Sequence, residues 1–238
     1  MNIEPKSWKK SSKPHLFCPG CGHGIVLKQI GFLIDEMKIQ NKVTFGIDIG
    51  CSLLAWDFFD IDTIQTHHGR TVPVMTGYKM AKPKRITLAY MGDGGAYAIG
   101  LQSLIHAAVR NDPITVIVIN NQNYAMTGGQ MSPTTLIGAK TTTSPSGKKK
   151  LFGEGFLGPE LLRNIVAEKA FIARASVSNP ILLKNLLKKA ILNQLENDSF
   201  SFVEIISTCP INWKTDARGS LEKISKLEKY YEVGEIKT

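Results

Sequence analysis

The chain has 238 residues, 43% of them hydrophobic, and a formal net charge of +9. This length and composition allow a full hydrophobic core and predict a single α/β domain over residues 1–238. The chain contains no apolar run of roughly 18 residues, which excludes a membrane-spanning helix. The polar segment 1–13 lacks the apolar core of a secretory signal. We therefore expect a cytoplasmic protein that does not act in a membrane.

The excess of positive charge favours an acidic partner, and nucleic acid is one candidate. Apart from Lys148-Lys149-Lys150 and the lysines near the N-terminus, however, the basic residues are scattered and do not alternate with aromatic residues. We interpret most of them as a solvated face, with an acidic electron carrier as the alternative partner. We expect no binding of nucleic acid.

The four cysteines all lie in loops or at the ends of predicted elements. Cys18 and Cys21 open a predicted helix, Cys51 follows the predicted strand 43–49, and Cys209 follows an apolar run near the end of the chain. Disulfides are unexpected in a chain without an export signal. A zinc site normally has a second close pair of ligands, whereas an iron-sulfur cluster tolerates dispersed cysteines. The spacing leaves a cluster, a zinc site and unligated buried thiols as open alternatives.

A pair of adjacent histidines, His67 and His68, follows the short run 64–66. Residues 70–81 are predicted to form a helix. Pro73 does not contradict this prediction, because proline is tolerated in the first turn of a helix. Adjacent side chains point in different directions, and a histidine is more often structural than catalytic. Residue type alone therefore assigns neither histidine a role.

The stretch 86–121 predicts a strand, a helix and a second strand. The first strand ends in Gly92-Asp93-Gly94-Gly95, and the second ends at Asn121. A helical crossover makes such strands parallel neighbours, so both polar side chains emerge at the edge where open α/β sheets bind ligands. A carboxylate and an amide oxygen suit Mg²⁺ or Ca²⁺, and the glycines let a diphosphate approach the backbone.

Other phosphate-binding motifs fit this stretch poorly. A dinucleotide fingerprint requires a third glycine where Tyr97 stands, and the Gly-Lys-Ser/Thr ending of a P-loop is absent. An ordinary capped turn would explain Gly-Asp-Gly by itself. The matching Asn121 at the next strand end favours a site for a cation and a diphosphate.

The second half of the chain continues the alternation. Residues 132–150 are rich in Thr, Ser, Pro, Gly and Lys and predict a long surface loop. A helix, a strand, a helix and a strand are then predicted at 159–169, 171–175, 179–195 and 202–206. Such alternation predicts an α/β fold with a mostly parallel sheet and helices on both faces. The charged segment 214–238 predicts a C-terminal surface tail.

Taken together, these motifs resemble those of the β subunit of 2-oxoacid:ferredoxin oxidoreductases. The resemblance covers residues 15 to about 213. It rests on Gly-Asp-Gly with Asn121, on the segment 123–135, on Thr-His-His-Gly-Arg, and on Cys-Pro-Gly-Cys-Gly, Ile-Gly-Cys-Ser and Thr-Cys-Pro around the cysteines. It implies a thiamine diphosphate-binding fold of which this chain supplies the diphosphate-binding domain, with an N-terminal cluster-binding segment at 1–55.

The resemblance also implies three cofactors and their ligands. Mg²⁺ would be held by the side chains of Asp93 and Asn121 and by the backbone carbonyl of Asn123. A [4Fe-4S] cluster would be held by Cys18, Cys21, Cys51 and Cys209. His68, rather than His67, would act beside the diphosphate of thiamine diphosphate (ThDP) as a contact or proton partner. The other implied contacts to ThDP are Gly50, Cys51, Ser52, Gly92, Asp93, Gly94, Gly95, Asn121, Tyr124 and Thr127.

The activity implied by the resemblance is the oxidative decarboxylation of a 2-oxoacid. Coenzyme A would accept the acyl group, and electrons would pass through the cluster to ferredoxin. The segment 131–135 is more similar to enzymes for 2-oxoglutarate or branched-chain 2-oxoacids than to pyruvate enzymes. An α-type subunit would bind the pyrimidine half of ThDP, with γ or δ subunits as an option. The alternatives are a non-redox ThDP decarboxylase or carboligase, and a zinc-stabilised nucleic-acid-binding module.

Overall fold

The computed structural model describes residues 4–11 and 15–237. In these residues nine strands form two sheets. They are β1 (Val43–Ile47), β2 (Asp62–Gln65), β3 (Ile86–Gly92), β4 (Thr115–Asn120), β5 (Asn123–Tyr124), β6 (Gln130–Met131), β7 (Phe171–Ser176), β8 (Ser201–Ile206) and β9 (Gly234–Lys237). The large sheet has the order β2-β1-β3-β4-β8-β7-β9, and only the pairing of β7 with β9 is antiparallel.

Helices cover both faces of this sheet. They are α1 (Gly22–Met37), α2 (Thr71–Ala81), α3 (Leu101–Val109), α4 (Gly158–Arg163), α5 (Pro180–Asn197), α6 (Pro210–Trp213) and α7 (Ala217–Tyr230). One hydrophobic core contains side chains of α1, α5 and α7, and a second contains side chains of α2, α3 and α4. Burial on both faces explains why the inner strands are continuous apolar runs. The predicted mostly parallel α/β architecture is confirmed.

Five adjacent parallel strands, β2, β1, β3, β4 and β8, end at the same edge of the sheet. The segments that follow these five ends contain His68, Asp48 to Ser52, Asp93 to Gly95, Asn121 to Thr127, and Cys209. Residues far apart in the chain are therefore brought to one edge, because consecutive strands of such a sheet run in the same direction.

The helix after β3 begins irregularly. A π-helical turn, Gly95–Ile99, precedes α3, and the backbone N–H of Gly100 donates to the carbonyl oxygen of Gly95 at 2.8 Å. A Cβ at Gly100 would lie 2.8 Å from the carbonyl oxygen of Gly69. The apolar spacing predicted a regular helix here. That spacing does not reveal the wider π-helical turn, where the backbone at Gly100 lies close to the backbone at Gly69.

Residues 132–150 are not a surface loop along their whole length, contrary to the prediction. Ser132, Thr134, Thr135 and Lys148 are buried. The Lys148 ammonium group donates to the carbonyl oxygens of Thr135 at 2.7 Å and of Glu154 at 3.2 Å. Composition predicted exposure because these residue types are usually solvated, but here each polar group finds a partner inside the protein. The helix predicted at 159–169 ends earlier, at the end of α4.

The C-terminal segment is part of the domain rather than a surface tail as predicted. Helix α7 contributes Ile224 and Leu227 to the first core, and the Tyr231 side chain is fully buried. The Tyr231 hydroxyl donates to the carbonyl oxygen of Thr134 at 2.7 Å. Strand β9 then pairs with β7. The many charged residues of α7 lie on its outer face and conceal a narrow apolar stripe.

A charged network lies inside the domain, between β7 and β8. Arg174 and Glu204 are both fully buried, and the Arg174 guanidinium donates to the Glu204 carboxylate. The same guanidinium forms two bonds with Glu160, at 2.6 and 2.7 Å. Glu204 also accepts from the Tyr97 hydroxyl at 2.7 Å and from the Asn120 side chain at 3.2 Å. Every charged group in the network therefore has hydrogen-bond partners, as burial requires.

No helix within residues 4–11 and 15–237 combines the length and apolar character needed to cross a bilayer.

Candidate cofactor site

A cavity opens at the carboxyl ends of β1, β3 and β4, at the position where open α/β sheets bind ligands. It brings together every residue that the sequence analysis assigned to ThDP or Mg²⁺. Those residues are Gly50, Cys51, Ser52, His68, Gly92, Asp93, Gly94, Gly95, Asn121, Asn123, Tyr124 and Thr127. His23 and Ile49 also line it. Of the four cysteines only Cys51 does so.

Asp93 is the single ionisable residue of the 92–95 loop, and 2% of its surface is exposed. One of its carboxylate oxygens accepts hydrogen bonds from the hydroxyls of Ser132, at 2.8 Å, and Thr134. Burial raises the pKa of Asp93 to about 6, and these hydroxyl bonds counteract part of that rise. A buried carboxylate that is costly to ionise is well suited to bind a cation, because the cation restores a favourable charge balance.

Asn121 and Asn123 are fixed by a tight turn after β4. The Asn121 side-chain oxygen accepts from the Asn123 backbone N–H at 3.2 Å. The Asn123 side-chain NH₂ donates to the Asn121 backbone carbonyl oxygen at 2.7 Å. Gln122 between them has a φ of 64°. The Trp213 indole N–H also donates to the Asn121 carbonyl, at 3.0 Å. The turn thus presents the Asn121 side chain beside Asp93 in the cavity, and oxygen ligands of this kind suit Mg²⁺.

Glycines at the cavity serve close packing at some positions and leave open space at others. A Cβ at Gly95 would overlap the Asp48 carboxylate, and a Cβ at Gly94 would overlap the Tyr124 ring. By contrast, a Cβ at Gly92 or at Gly50 would meet no atom within 4 Å. Gly50 also has a φ of 113°, which strongly favours glycine. The open space above Gly92 and Gly50 lies where a ligand would approach the backbone.

Asp48, to which no sequence pattern assigned a role, anchors His68. Asp48 is fully buried at the end of β1. One carboxylate oxygen accepts from the Gly69 N–H at 2.7 Å and from the Thr71 hydroxyl at 3.2 Å. The other lies 3.2 Å from His68 Nδ1, which is also 3.1 Å from the Ile49 carbonyl oxygen. Two acceptors therefore face Nδ1, so this nitrogen carries a hydrogen, and neither acceptor engages Nε2.

This contact predicts the effect of Asp48→Asn on the tautomer of His68. The Gly69 and Thr71 donors would orient the new amide oxygen toward themselves, so the amide NH₂ would face His68 Nδ1. The tautomer with hydrogen on Nε2 should then increase, as measured by ¹⁵N NMR of the imidazole nitrogens. The Thr71→Val control removes one donor but keeps the Asp48 charge. An unchanged tautomer ratio in Asp48→Asn would contradict this role of Asp48.

His23 is a second residue of the cavity to which the sequence analysis gave no role. It is 1% exposed, its Nδ1 lies 2.6 Å from the Tyr90 hydroxyl, and its ring stacks on Phe17 with centroids 5.0 Å apart. Burial lowers the pKa of His23 to about 3, so the ring is neutral at physiological pH. The sequence placed His23 directly after Cys21-Gly22, but nothing in that spacing indicates that the helix start reaches the cavity.

The segments that carry Cys18, Cys21 and Cys209 are tied to one another. The Thr208 hydroxyl donates to the Gly20 carbonyl at 2.7 Å, and the Gly22 N–H donates to the Thr208 carbonyl at 3.2 Å. Cys18 and Cys21 line a second cavity. Within residues 4–11 and 15–237, no three His, Cys, Asp or Glu side chains are grouped so that they would hold a metal ion.

Electrostatic interactions link the four thiols. Burial, together with the negative charge that the other thiols would carry as thiolates, raises the pKa of Cys21 and Cys51 to about 12. These interactions involve all four cysteines. A raised pKa keeps these thiols protonated in the metal-free protein, and they would have to lose their protons to bind a metal group.

Comparison with known proteins identifies the family. The model of the C-terminal TPP-binding domain of thiamine pyrophosphate enzymes matches residues 48–205. The 2-oxoglutarate synthase subunit KorB of Methanocaldococcus jannaschii is 38% identical over 207 residues, which cover 86% of this chain and 73% of that protein. The chain belongs to the family of 2-oxoacid oxidoreductase subunits with a thiamine diphosphate-binding domain.

Two further relatives are a longer protein and a protein of solved structure. The ketoisovalerate oxidoreductase subunit VorA of Methanothermobacter marburgensis is 41% identical over 216 residues. The match covers 89% of this chain but only 45% of VorA, so the chain spans less than half the length of that relative. The 2-oxoglutarate:ferredoxin oxidoreductase of Magnetococcus marinus has a similar structure, with a TM-score of 0.78 and 30% identity. The match covers 88% of this chain and 69% of that chain.

The cavity of this subunit fits thiamine diphosphate. The Ser52 hydroxyl lines it, is buried, and has no hydrogen-bond partner among the described residues. A buried polar group without a partner is costly, so a polar group of a bound ligand would satisfy it. Together with the open space above Gly92, this hydroxyl is available to a diphosphate cofactor.

Proposed function

We propose that this chain is the β subunit of a 2-oxoacid:ferredoxin oxidoreductase that binds ThDP, Mg²⁺ and a [4Fe-4S] cluster. The observation that carries the proposal is the position of Cys51. It lines the cavity that contains Asp93, and its thiol interacts electrostatically with the other cysteines. A redox cluster held by these thiols would therefore adjoin the ThDP cavity. Bound ThDP supplies the nucleophile and electron sink for decarboxylation, and the cluster supplies an electron acceptor.

Asp93, Asn121 and Asn123 are the proposed Mg²⁺ ligands. Asp93 contributes a charged oxygen, Asn121 a side-chain oxygen, and Asn123 its backbone carbonyl. Ser132 and Thr134 hold the Asp93 carboxylate in place through their hydroxyls. The cation would neutralise both Asp93 and the diphosphate, which is the usual way in which Mg²⁺ binds phosphate ligands in proteins.

His68 is proposed to act at the cavity as a contact or proton partner. Its Nδ1 is engaged by Asp48 and Ile49, so only Nε2 is available to a ligand. Nε2 can accept a hydrogen bond when it carries no hydrogen and can donate one when it does. Asp48 is proposed as the residue that fixes this orientation.

The proposed substrates are a 2-oxoacid and coenzyme A. KorB of Methanocaldococcus jannaschii, named for 2-oxoglutarate, and VorA of Methanothermobacter marburgensis, named for ketoisovalerate, are 38% and 41% identical to the chain. A 2-oxoglutarate oxidoreductase subunit KorB of Mycobacterium tuberculosis is 32% identical, and the pyruvate synthase subunit PorB of Thermotoga maritima is 31% identical. The similar solved structure contains 2-oxoglutarate, coenzyme A and succinyl-CoA. These similarities support 2-oxoglutarate or a branched-chain 2-oxoacid over pyruvate.

A separate α-type subunit is proposed to complete the ThDP site. Activation of the ThDP pyrimidine requires a glutamate in this family, and no glutamate lines the cavity in the part of the chain that the structure describes. Glu36 pairs with Lys184 on the surface, and Glu160 pairs with Arg174. Met126, which lines the cavity, is 45% exposed. An exposed apolar side chain at the cavity is well placed to contact a partner chain.

The chain alone should therefore bind iron but show no turnover. Purified anaerobically with the α-type subunit, it should catalyse coenzyme A-dependent reduction of viologen. Each turnover converts one 2-oxoacid anion and one coenzyme A thiol to one acyl-CoA, one CO₂ and one proton, and the two electrons released reduce viologen. A panel of 2-oxoglutarate, 2-oxoisovalerate and pyruvate identifies the substrate. Full turnover by the single chain would contradict the need for a partner.

Two other outcomes would exclude the redox function. Zinc in place of iron and sulfide would contradict the cluster. CO₂ release without viologen reduction by the iron-loaded complex would indicate a non-redox decarboxylase. Iron and sulfide analysis of the same preparation separates these cases.

A further inference from the structure

The short helix α6 connects a cysteine to the loop that carries the proposed Mg²⁺ ligands. It begins directly after Cys209. The Asn212 side-chain nitrogen lies 3.5 Å from Cys209 Sγ, 3.3 Å from Asn123 Oδ1 and 3.0 Å from the Ala125 carbonyl oxygen. The next residue, Trp213, donates to the Asn121 carbonyl. The single turn of α6 therefore contacts both Cys209 and the loop from Asn121 to Ala125.

Asn212 has fewer hydrogens than it has acceptors. Its amide nitrogen carries two hydrogens, and three acceptors surround it. As a free thiol, Cys209 can donate to Asn123 Oδ1 at 3.9 Å. When Cys209 binds iron as a thiolate, its hydrogen is lost and its sulfur becomes a negatively charged acceptor. A charged acceptor attracts a donor more strongly than a neutral one, so an Asn212 N–H is directed to the sulfur.

We propose that Asn212 is a positioning residue that donates a hydrogen bond to the ligand sulfur of Cys209 and links it to the Asn121 to Ala125 loop. This inference rests on the proposed cluster. Hydrogen bonds to the sulfur ligands stabilise the more negative, reduced cluster and raise its reduction potential. Asn212 thereby makes the cluster a better acceptor for electrons that arise in the adjoining cavity, and it fixes Cys209 relative to that cavity.

Packing around Asn212 supports a defined position for its amide. A Cβ at Gly129 would lie 3.0 Å from the Asn212 side chain, so the opposite wall of its pocket is a glycine backbone. Gly129 has a φ of 82° and follows the segment that contributes Tyr124 and Thr127 to the cavity. The amide is therefore enclosed by three segments, which restricts its rotation.

The test uses the complete anaerobic complex with the variants Asn212→Leu and Asn212→Asp. The first replaces the donor with an apolar group of similar size, and the second replaces it with a negatively charged acceptor. The midpoint potential of the cluster, measured by EPR-monitored titration, should shift to a more negative value in Asn212→Leu and further in Asn212→Asp. Asn212→Ser keeps a hydroxyl donor and should lie closer to the parent. The control Asn164→Leu, at an exposed asparagine on the far end of α4, should leave the potential unchanged.

Iron content and ThDP binding of each variant separate the outcomes. Parental potentials in iron-loaded Asn212→Leu and Asn212→Asp would overturn the role of Asn212. If all three Asn212 variants lose the cluster, the residue serves only structure and the tuning role is overturned as well. Absence of an iron-sulfur signal from the parent complex would instead refute the proposed function, and this inference with it.

Discussion

Replacing Asp93 with alanine is expected to abolish binding of Mg²⁺ and ThDP. Asp93 is the only charged oxygen ligand proposed for the cation, and the cation in turn compensates the diphosphate. Changes to residues that merely support a metal ligand already cost about 10–100-fold in affinity. Loss of the ligand itself should therefore weaken binding by more than about 100-fold. Isothermal titration calorimetry with Mg²⁺ and ThDP measures this loss.

The Asp93 variant should still fold, which makes the binding result interpretable. Burial raises the Asp93 pKa from 3.8 to about 6 in the metal-free protein, which corresponds to about 3 kcal/mol against the charged form at neutral pH. Asp93→Asn should thus not lower thermal stability through loss of charge. Asp112→Asn is a control for cofactor binding, because Asp112 is also buried and accepts from a threonine hydroxyl away from the cavity, although Arg110 pairs with its carboxylate. Parental cofactor binding by Asp93→Ala would contradict the assignment.

The same pKa predicts how cation binding depends on pH. The folded-state pKa lies above the unfolded value, so the metal-free protein holds the extra proton more tightly when folded and gains stability as pH falls through about 6. Mg²⁺ requires the charged carboxylate. Its apparent affinity should therefore fall as pH decreases below about 6, which calorimetric titration of Mg²⁺ and ThDP at a series of pH values measures.

Replacing Arg174 with methionine is expected to lower the free energy of unfolding by about 3–5 kcal/mol. Glu204 would keep its bonds from Tyr97 and Asn120 but would lose the only positive charge that contacts it within the described network. An uncompensated carboxylate would then remain in the core. For a domain of this size the melting temperature should fall by roughly 10 °C.

Two further variants isolate the cause of that destabilisation. The double change Arg174→Met with Glu204→Leu removes both charges and should recover part of the stability, since a buried ion pair and an apolar replacement are often similar in energy. Arg218→Met is the control, because Arg218 pairs with Glu222 on the exposed surface and such pairs contribute little. No recovery in the double variant would show that Arg174 acts through packing, including its contact with the Tyr231 ring, rather than through charge.

Much of the candidate site was predictable because its signal is local. Asp93 and Asn121 each follow an apolar run, and parallel pairing through a helical crossover brings them together. Gly50, Cys51 and Ser52 likewise follow β1. The predicted roles of these residues toward cofactors remain proposals, but their positions around one cavity are a feature of the structure.

The residues that sequence analysis missed depend on contacts between distant segments. Ser132 and Thr134 belong to a polar stretch that composition assigns to the surface, yet their hydroxyls bind Asp93 from about 40 positions further along the chain. Asp48 continues an apolar strand, and only the fold reveals that its carboxylate faces Gly69 and His68. Long-range hydrogen bonds of this kind leave no periodic pattern in the sequence.

The antiparallel strand β9 also protects one border of the sheet. It occupies the hydrogen-bonding edge of β7, whose six residues are all buried. Without it, an apolar strand with unpaired backbone groups would be open to pairing with another molecule. The opposite border is β2, a strand of four residues that is largely exposed and carries Asp62. Short length and a charge protect that border, so the two ends of the sheet resist aggregation by different means.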